Sequence, residues 1–63
     1  MKTYIIYDYD SDFSYELTTD WAEPEIADQF NDEDLEEMKD LEVGKMYMLY
    51  DLGIELGMVT RVA

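Results

Sequence analysis

The fold turns on TTDWAEPEIADQFNDEDLEEMKDLE, Thr18 to Glu42, because the apolar period changes on entering this stretch and changes back on leaving it. Just upstream, Phe13, Tyr15 and Leu17 alternate with Ser14, Glu16 and Thr18, the period-two pattern of a strand with one wet face. Inside the stretch, Ala22, Ile26 and Phe30 recur every fourth residue, and Leu35, Met38 and Leu41 every third, which is the spacing of a helix face. Asp20 is placed to cap a first turn, Pro24 suits an early helical position, and Asn31 is placed to cap a second helix. The pattern predicts two short helices, with one bent helix running through Asn31 as the alternative.

Working outward, residues 2 to 9, KTYIIYDY, are rich in tyrosine and isoleucine and apolar on both faces, as a strand near a sheet centre is. With residues 13 to 18 they make a hairpin turning near Asp10 to Asp12. Downstream, Val43-Gly44 ends the helical region, and KMYMLYDLGIELGMVTRV, Lys45 to Val62, reads as a second hairpin. Met46, Met48 and Tyr50 fall on one face of its first strand, Tyr47 and Leu49 on the other, and Gly53 supplies the turn. On the return strand Ile54, Leu56, Met58 and Val62 share a face, with Thr60 breaking the row and Gly57 marking a bulge or a close backbone contact. The expected architecture is α+β, a small ββ-α(α)-ββ domain with a four-stranded, mainly antiparallel sheet and one or two short helices on one face. It is read as a single domain: an N-terminal hairpin over 1–19, an acidic helical segment over 20–42 and a nearly neutral hairpin over 43–63.

Composition narrows the function classes. A chain of 63 residues without cysteine has neither disulfide nor thiolate site, and the absence of histidine removes the commonest metal ligand and the one side chain that titrates unperturbed near neutrality. Seventeen acids against four bases give a net charge of −13, which repels nucleic acid and anionic lipid and attracts basic proteins. Because 48% of the residues are apolar and 14% aromatic, the charge reads as the surface of a folded domain and not as disorder. The N-terminal run MKTYIIYDYD falls far short of a secretion signal, and no segment reads as a membrane span, so a cytoplasmic location is expected.

Charge also clusters along the chain: every acid except Asp51 and Glu55 lies between Asp8 and Glu42. The first cluster is YDYDSDF, Tyr7 to Phe13. Asp8, Asp10 and Asp12 match the first three ligand positions of an EF-hand loop, but Phe13 stands where that loop needs glycine and Thr19 where it needs the closing glutamate, so no metal site is assigned. The second cluster is NDEDLEEMKD, Asn31 to Asp40. As a helix it turns Leu35 and Met38 inward and lines its outside with like charges, Glu33 with Glu37 and Glu36 with Asp40, each pair costing roughly 0.2 to 0.5 kcal/mol. The helix dipole offsets the cost at Asp32, Glu33 and Asp34 but not at Asp40.

Carboxylates four apart on a helix, or two apart on a strand, lie about 5 to 7 Å from one another, commensurate with phosphates spaced by roughly 3.4 Å of axis along a winding strand. The reading is therefore a nucleic-acid mimic: an acidic face that occupies the basic groove of a DNA- or RNA-binding protein. The candidate partner-binding residues are Asp8, Asp10, Asp12, Glu16, Glu23, Glu25, Asp28, Asp32, Glu33, Asp34, Glu36, Glu37 and Asp40, with Tyr9 and Trp21 as aromatic anchors against arginine. No catalytic residue and no cofactor are expected, since no nucleophile has a base other than a carboxylate and no glycine-rich phosphate loop exists. The expected partner is a basic nucleic-acid-binding protein, bound by a monomer or a homodimer. In size and charge the chain resembles the small acidic inhibitors that bacteriophages and mobile elements make against host nucleases, CRISPR effectors, restriction and DNA-repair enzymes. That resemblance is one of class and carries no residue roles. The main rival is an acidic protein-protein adaptor or small subunit that docks through the C-terminal hairpin; the other is halophilic adaptation.

Overall fold

The computed structural model describes residues 1–63. Four strands, β1 (Lys2–Asp8), β2 (Phe13–Thr19), β3 (Met46–Asp51) and β4 (Ile54–Arg61), form one sheet in the order β2-β1-β4-β3, with every neighbouring pair antiparallel. Two short helices, α1 (Pro24–Ala27) and α2 (Asp32–Asp40), lie between the hairpins in sequence. The domain is thus α+β, with the two hairpins joined through β1 and β4 at the sheet's centre. That placement explains why β1 carries apolar side chains on both faces: it has a strand on either side and a helix over one face.

The core lies between the sheet and α2. Tyr4 and Ile6 from β1 and Val59 from β4 meet Met38 and Leu35 from α2, and Leu17, Tyr47 and Leu49 close the edges. The Tyr4 hydroxyl donates to the Met38 carbonyl at 2.7 Å, so the one polar atom this large side chain takes inside is satisfied. α1 buries no residue of its own, but Trp21 and Phe30 bracket it and both pack on the core, edge-on to each other with ring centres 6.1 Å apart.

α2 starts as its sequence predicts. The Asn31 side chain accepts from the Asp34 N–H at 2.8 Å, and Leu35 and Met38 are the buried pair. α1 starts later than expected. Asp20 does not cap a helix; its carboxylate accepts from the Ala22 N–H at 2.9 Å in a local turn, and Ala22 is exposed outside the helix. Pro24 is the reason: its ring holds the preceding residue extended, and Glu23 indeed has φ −85° and ψ 119°, so no helical turn can begin upstream of the proline.

The second correction concerns β4. Leu49 pairs with Gly57 and Tyr50 with Glu55, which leaves Leu56 as an extra residue in a bulge. Beyond the bulge the alternation shifts, so Leu56 lines a cleft with Leu49 and Phe30 on the helix side, while Met58 stays on the helix-free side with Met48. The expected row of Ile54, Leu56 and Met58 on one face is therefore broken. Gly57 sits beside the bulge because a Cβ there would lie 2.1 Å from the Tyr7 carbonyl oxygen, a backbone atom that cannot move aside.

Candidate functional site: the acidic turn end

Antiparallel pairing sorts the charges by end. The register sets Tyr4 beside Arg61, and Arg61 N–H donates to the Lys45 carbonyl, so Lys2, Lys45 and Arg61 share one end of the sheet. Lys39, at the last turn of α2, joins them there, because the Lys2 ammonium donates to the Lys39 carbonyl. Arg61 also donates to the Leu41 carbonyl at 2.8 Å, closing the C-terminus of α2 over that end. All four bases of the chain are thus at one end.

The opposite end holds both hairpin turns and the start of α2. Asp8, Asp10 and Asp12 belong to the first turn, Asp51 and Glu55 flank the second, and Asp32, Glu33 and Asp34 make the first turn of the helix. The first sequence cluster, YDYDSDF, and the start of the second, Asn31 to Asp34, meet here across two adjoining open clefts of about 310 and 200 Å³. Phe30, Leu49 and Leu56 floor both clefts; Asp8 and Asp10 rim the larger, Asp34 and Asp51 the smaller, and no base lines either.

The carboxylates of this end are held by side-chain hydrogen bonds. The Tyr47 hydroxyl donates to Asp34 at 2.7 Å, and this bond, then partial burial, then the charges of Asp34, Glu33 and Glu37 push the Tyr47 phenol far above its ordinary range. The Tyr7 hydroxyl donates to Asp12, which raises the Tyr7 phenol, with burial and charge adding to it. Asp8 accepts from the Asp10 N–H at 2.9 Å, fixing the turn, and Tyr15 is raised first by burial and then by Asp8.

The remaining candidate residues do not join this surface. Glu16 pairs with Ile5 and faces the helix-free side of the sheet. Asp40 lines a separate cleft of about 480 Å³ at the basic end, with Lys2, Lys39, Asp20 and Trp21. Glu36 and Glu37 are exposed along α2, Glu37 lining no cleft although its charge reaches the Tyr47 hydroxyl, and Glu23, Glu25 and Asp28 are exposed around α1. Tyr9 packs edge-on to Tyr7 and points its hydroxyl at the Met48 sulfur, 4.0 Å away, on the helix-free side. Trp21 is half-buried against Tyr4, ring centres 5.6 Å apart, with its indole Nε1 enclosed and without a partner, and its backbone is left-handed at φ 67°. No three acidic side chains are grouped closely enough to hold a metal ion.

Several residues at the turn end have a different place from the one their pattern suggests. Asp51 belongs in sequence to a nearly neutral hairpin, Phe30 and Leu56 read as members of apolar rows and Tyr50 as part of the adaptor's docking strand, and Leu52 carries no periodic signal. One signal was available for Leu52: the turn Asp51-Leu52-Gly53-Ile54 has φ 51° at Leu52 and 79° at Gly53, a geometry for which Asn-Gly or Asp-Gly is the usual choice. No helix is long and apolar enough to cross a membrane. No protein-family model, curated protein or solved structure matches this chain.

Proposed function

We propose that this chain is a non-enzymatic nucleic-acid mimic, which occupies the basic DNA- or RNA-binding groove of a larger protein in the manner of the phage- and mobile-element-type inhibitors it resembles. The reading rests on charge sorting. The YDYDSDF cluster and the acidic first turn of α2, remote in sequence, sit at one end of the sheet, and all four bases sit at the other. Charge that serves solubility alone is best interspersed in sign. An end of one sign instead focuses its field outward, steers a basic partner to it and gains the counterion-release term that nucleic acid gains in the same groove. Its targets by this chemistry are nucleases, CRISPR effectors, restriction enzymes and DNA-repair enzymes.

The test is capture of a nucleic-acid-binding protein from a nuclease-treated bacterial lysate, with excess duplex DNA and a salt series as competitors. DNA and salt should both displace the captured protein. The double variant Asp10→Lys, Glu33→Lys should lose it, while Glu16→Lys, on the helix-free side, should keep it. Capture indifferent to DNA and to both sets of substitutions would remove the reading.

A second reading has one observation in its favour. β3 is an edge strand, and the helix-free face beside it carries Met46, Met48 and Met58, with Met46 60% exposed. An acidic adaptor, or a homodimer formed through the C-terminal hairpin, would use that face; its partner would be lost with Met48→Lys and ignore DNA.

A further inference from the structure

The acidic end of the molecule is also its greasy end. Phe13, Tyr50, Ile54 and Leu56 are exposed there, and Leu52, at the tip of the second hairpin, is 95% exposed. Leu52 contributes nothing to the core, and its left-handed backbone at φ 51° is one that asparagine or aspartate adopts more cheaply. Beside it the two clefts share an apolar floor of Phe30, Leu49 and Leu56 under carboxylates on both rims. Phe30 and Leu49 also pack on the core, but a surface that served only to hold counterions, or only to imitate phosphates, would need neither Leu56 open beside them nor the leucine at the tip. Exposed apolar groups gathered beside charge of a single sign are the complement of a segment that is basic and apolar at once.

We infer that the cleft floored by Phe30, Leu49 and Leu56, with Leu52 following its rim residue Asp51 at the hairpin tip, docks a protein segment in which arginine is flanked by apolar side chains. The apolar flanks enter the cleft, and the guanidinium reaches the rim carboxylates Asp34 and Asp51, where planar two-pronged pairing favours arginine over lysine. The Tyr47 hydroxyl bond pre-orients the Asp34 carboxylate for this, which lowers the ordering cost of binding. The inference rests on the mimic reading only for the source of the segment, the groove of a nucleic-acid-binding protein, where aromatic and apolar residues stand among the arginines.

The experiment uses the full chain, labelled for NMR, and two short peptides of equal charge at physiological salt: one alternating arginine with leucine, the other alternating arginine with serine. The arginine-leucine peptide should bind about tenfold more tightly, the worth of one more leucine-sized contact, and its shifts should centre on Phe30, Leu49 and Leu56. Leu56→Gln should abolish that preference. Leu52→Asn should reduce it while raising the melting temperature, because the turn prefers asparagine; a leucine kept only for folding would show no such opposition. Equal binding of the two peptides, a preference that survives Leu56→Gln, or one that Leu52→Asn leaves undiminished, overturns the inference. If the preference holds but lysate capture is indifferent to DNA, the mimic reading fails and the cleft stands. If DNA-competed capture holds and the preference is absent, the cleft alone fails.

Discussion

Tyr47 joins fold and surface in a single side chain. Its ring closes the edge of the core, and its hydroxyl holds Asp34 at the rim of the cleft. Ionising the phenol would remove the donated bond and set a new negative charge against Asp34, Glu33 and Glu37, which is why its pKa is raised in the fold. A group whose pKa is higher folded than unfolded contributes stability that is complete below the unfolded value, about 10 for tyrosine, and lost as the pH climbs through the folded one. The urea midpoint should therefore decline above about pH 10. Tyr47→Phe should cost about 1 kcal/mol at neutral pH for the lost hydrogen bond, and its alkaline decline should be shallower, though not flat, since Tyr7 and Tyr15 are raised as well. An equally steep decline in the variant would show that Tyr47 carries none of the effect. The inward side of Tyr47 is legible from alternation in the sequence. Its pairing with Asp34 is not, because that contact joins a strand to a helix 13 residues away and exists only once both are packed.

At the level of elements, the legible parts are those whose signals are local. Asn31 followed by three acids, with Leu35 and Met38 at helical spacing, is enough to place α2, and the structure shows the cap bond at 2.8 Å. The start of α1 differs from the expected one where two local rules compete, the capping tendency of Asp20 and the restriction Pro24 puts on the residue before it, and the proline wins because its constraint is steric. The irregularity in β4 is legible from Gly57, where both a bulge and a close backbone contact occur, but which residue is extra is not, because that is a property of register between two strands. Since α2 supplies Leu35 and Met38, two of the five buried apolar residues, its cap has leverage over the whole domain. Asn31→Ala should lower the unfolding free energy by about 1 kcal/mol, whereas Asn31→Ser, which keeps an acceptor, should change it little. In a domain of this size, with about 3 to 5 kcal/mol in all, that difference is readable in a urea melt. Equal stability of the alanine variant would mean that packing of Leu35 and Met38 alone holds the helix.

For the whole molecule the decisive feature is where the charges end up, and this is what a linear reading sees least. Along the chain the acids form a body and the C-terminal hairpin looks neutral; in space Lys45 and Arg61 leave with Lys2 to one end, and Asp51 and Glu55 join the acidic turns at the other. The sorting depends on antiparallel register, which superposes residues far apart in sequence. It also has an energetic cost that salt can relieve. The longest dimension of the molecule is 28 Å, and the Debye length falls from about 30 Å at 0.01 M to about 10 Å at 0.1 M and 3 Å at 1 M. At the lowest of these concentrations every acid at the turn end feels every other, and near 0.1 M only near neighbours still do. Unfolding by urea, which adds no ions, should therefore show stability rising by on the order of 1 kcal/mol between 0.01 M and a few hundred millimolar sodium chloride, the sum of several like-charge pairs at roughly 0.2 to 0.5 kcal/mol each, and levelling off beyond. A halophilic surface predicts the opposite shape, with little gain at low salt and a continued climb into the molar range. The early plateau would mean that the fold tolerates its concentrated charge at ordinary ionic strength, the condition under which a basic partner can still be attracted to it.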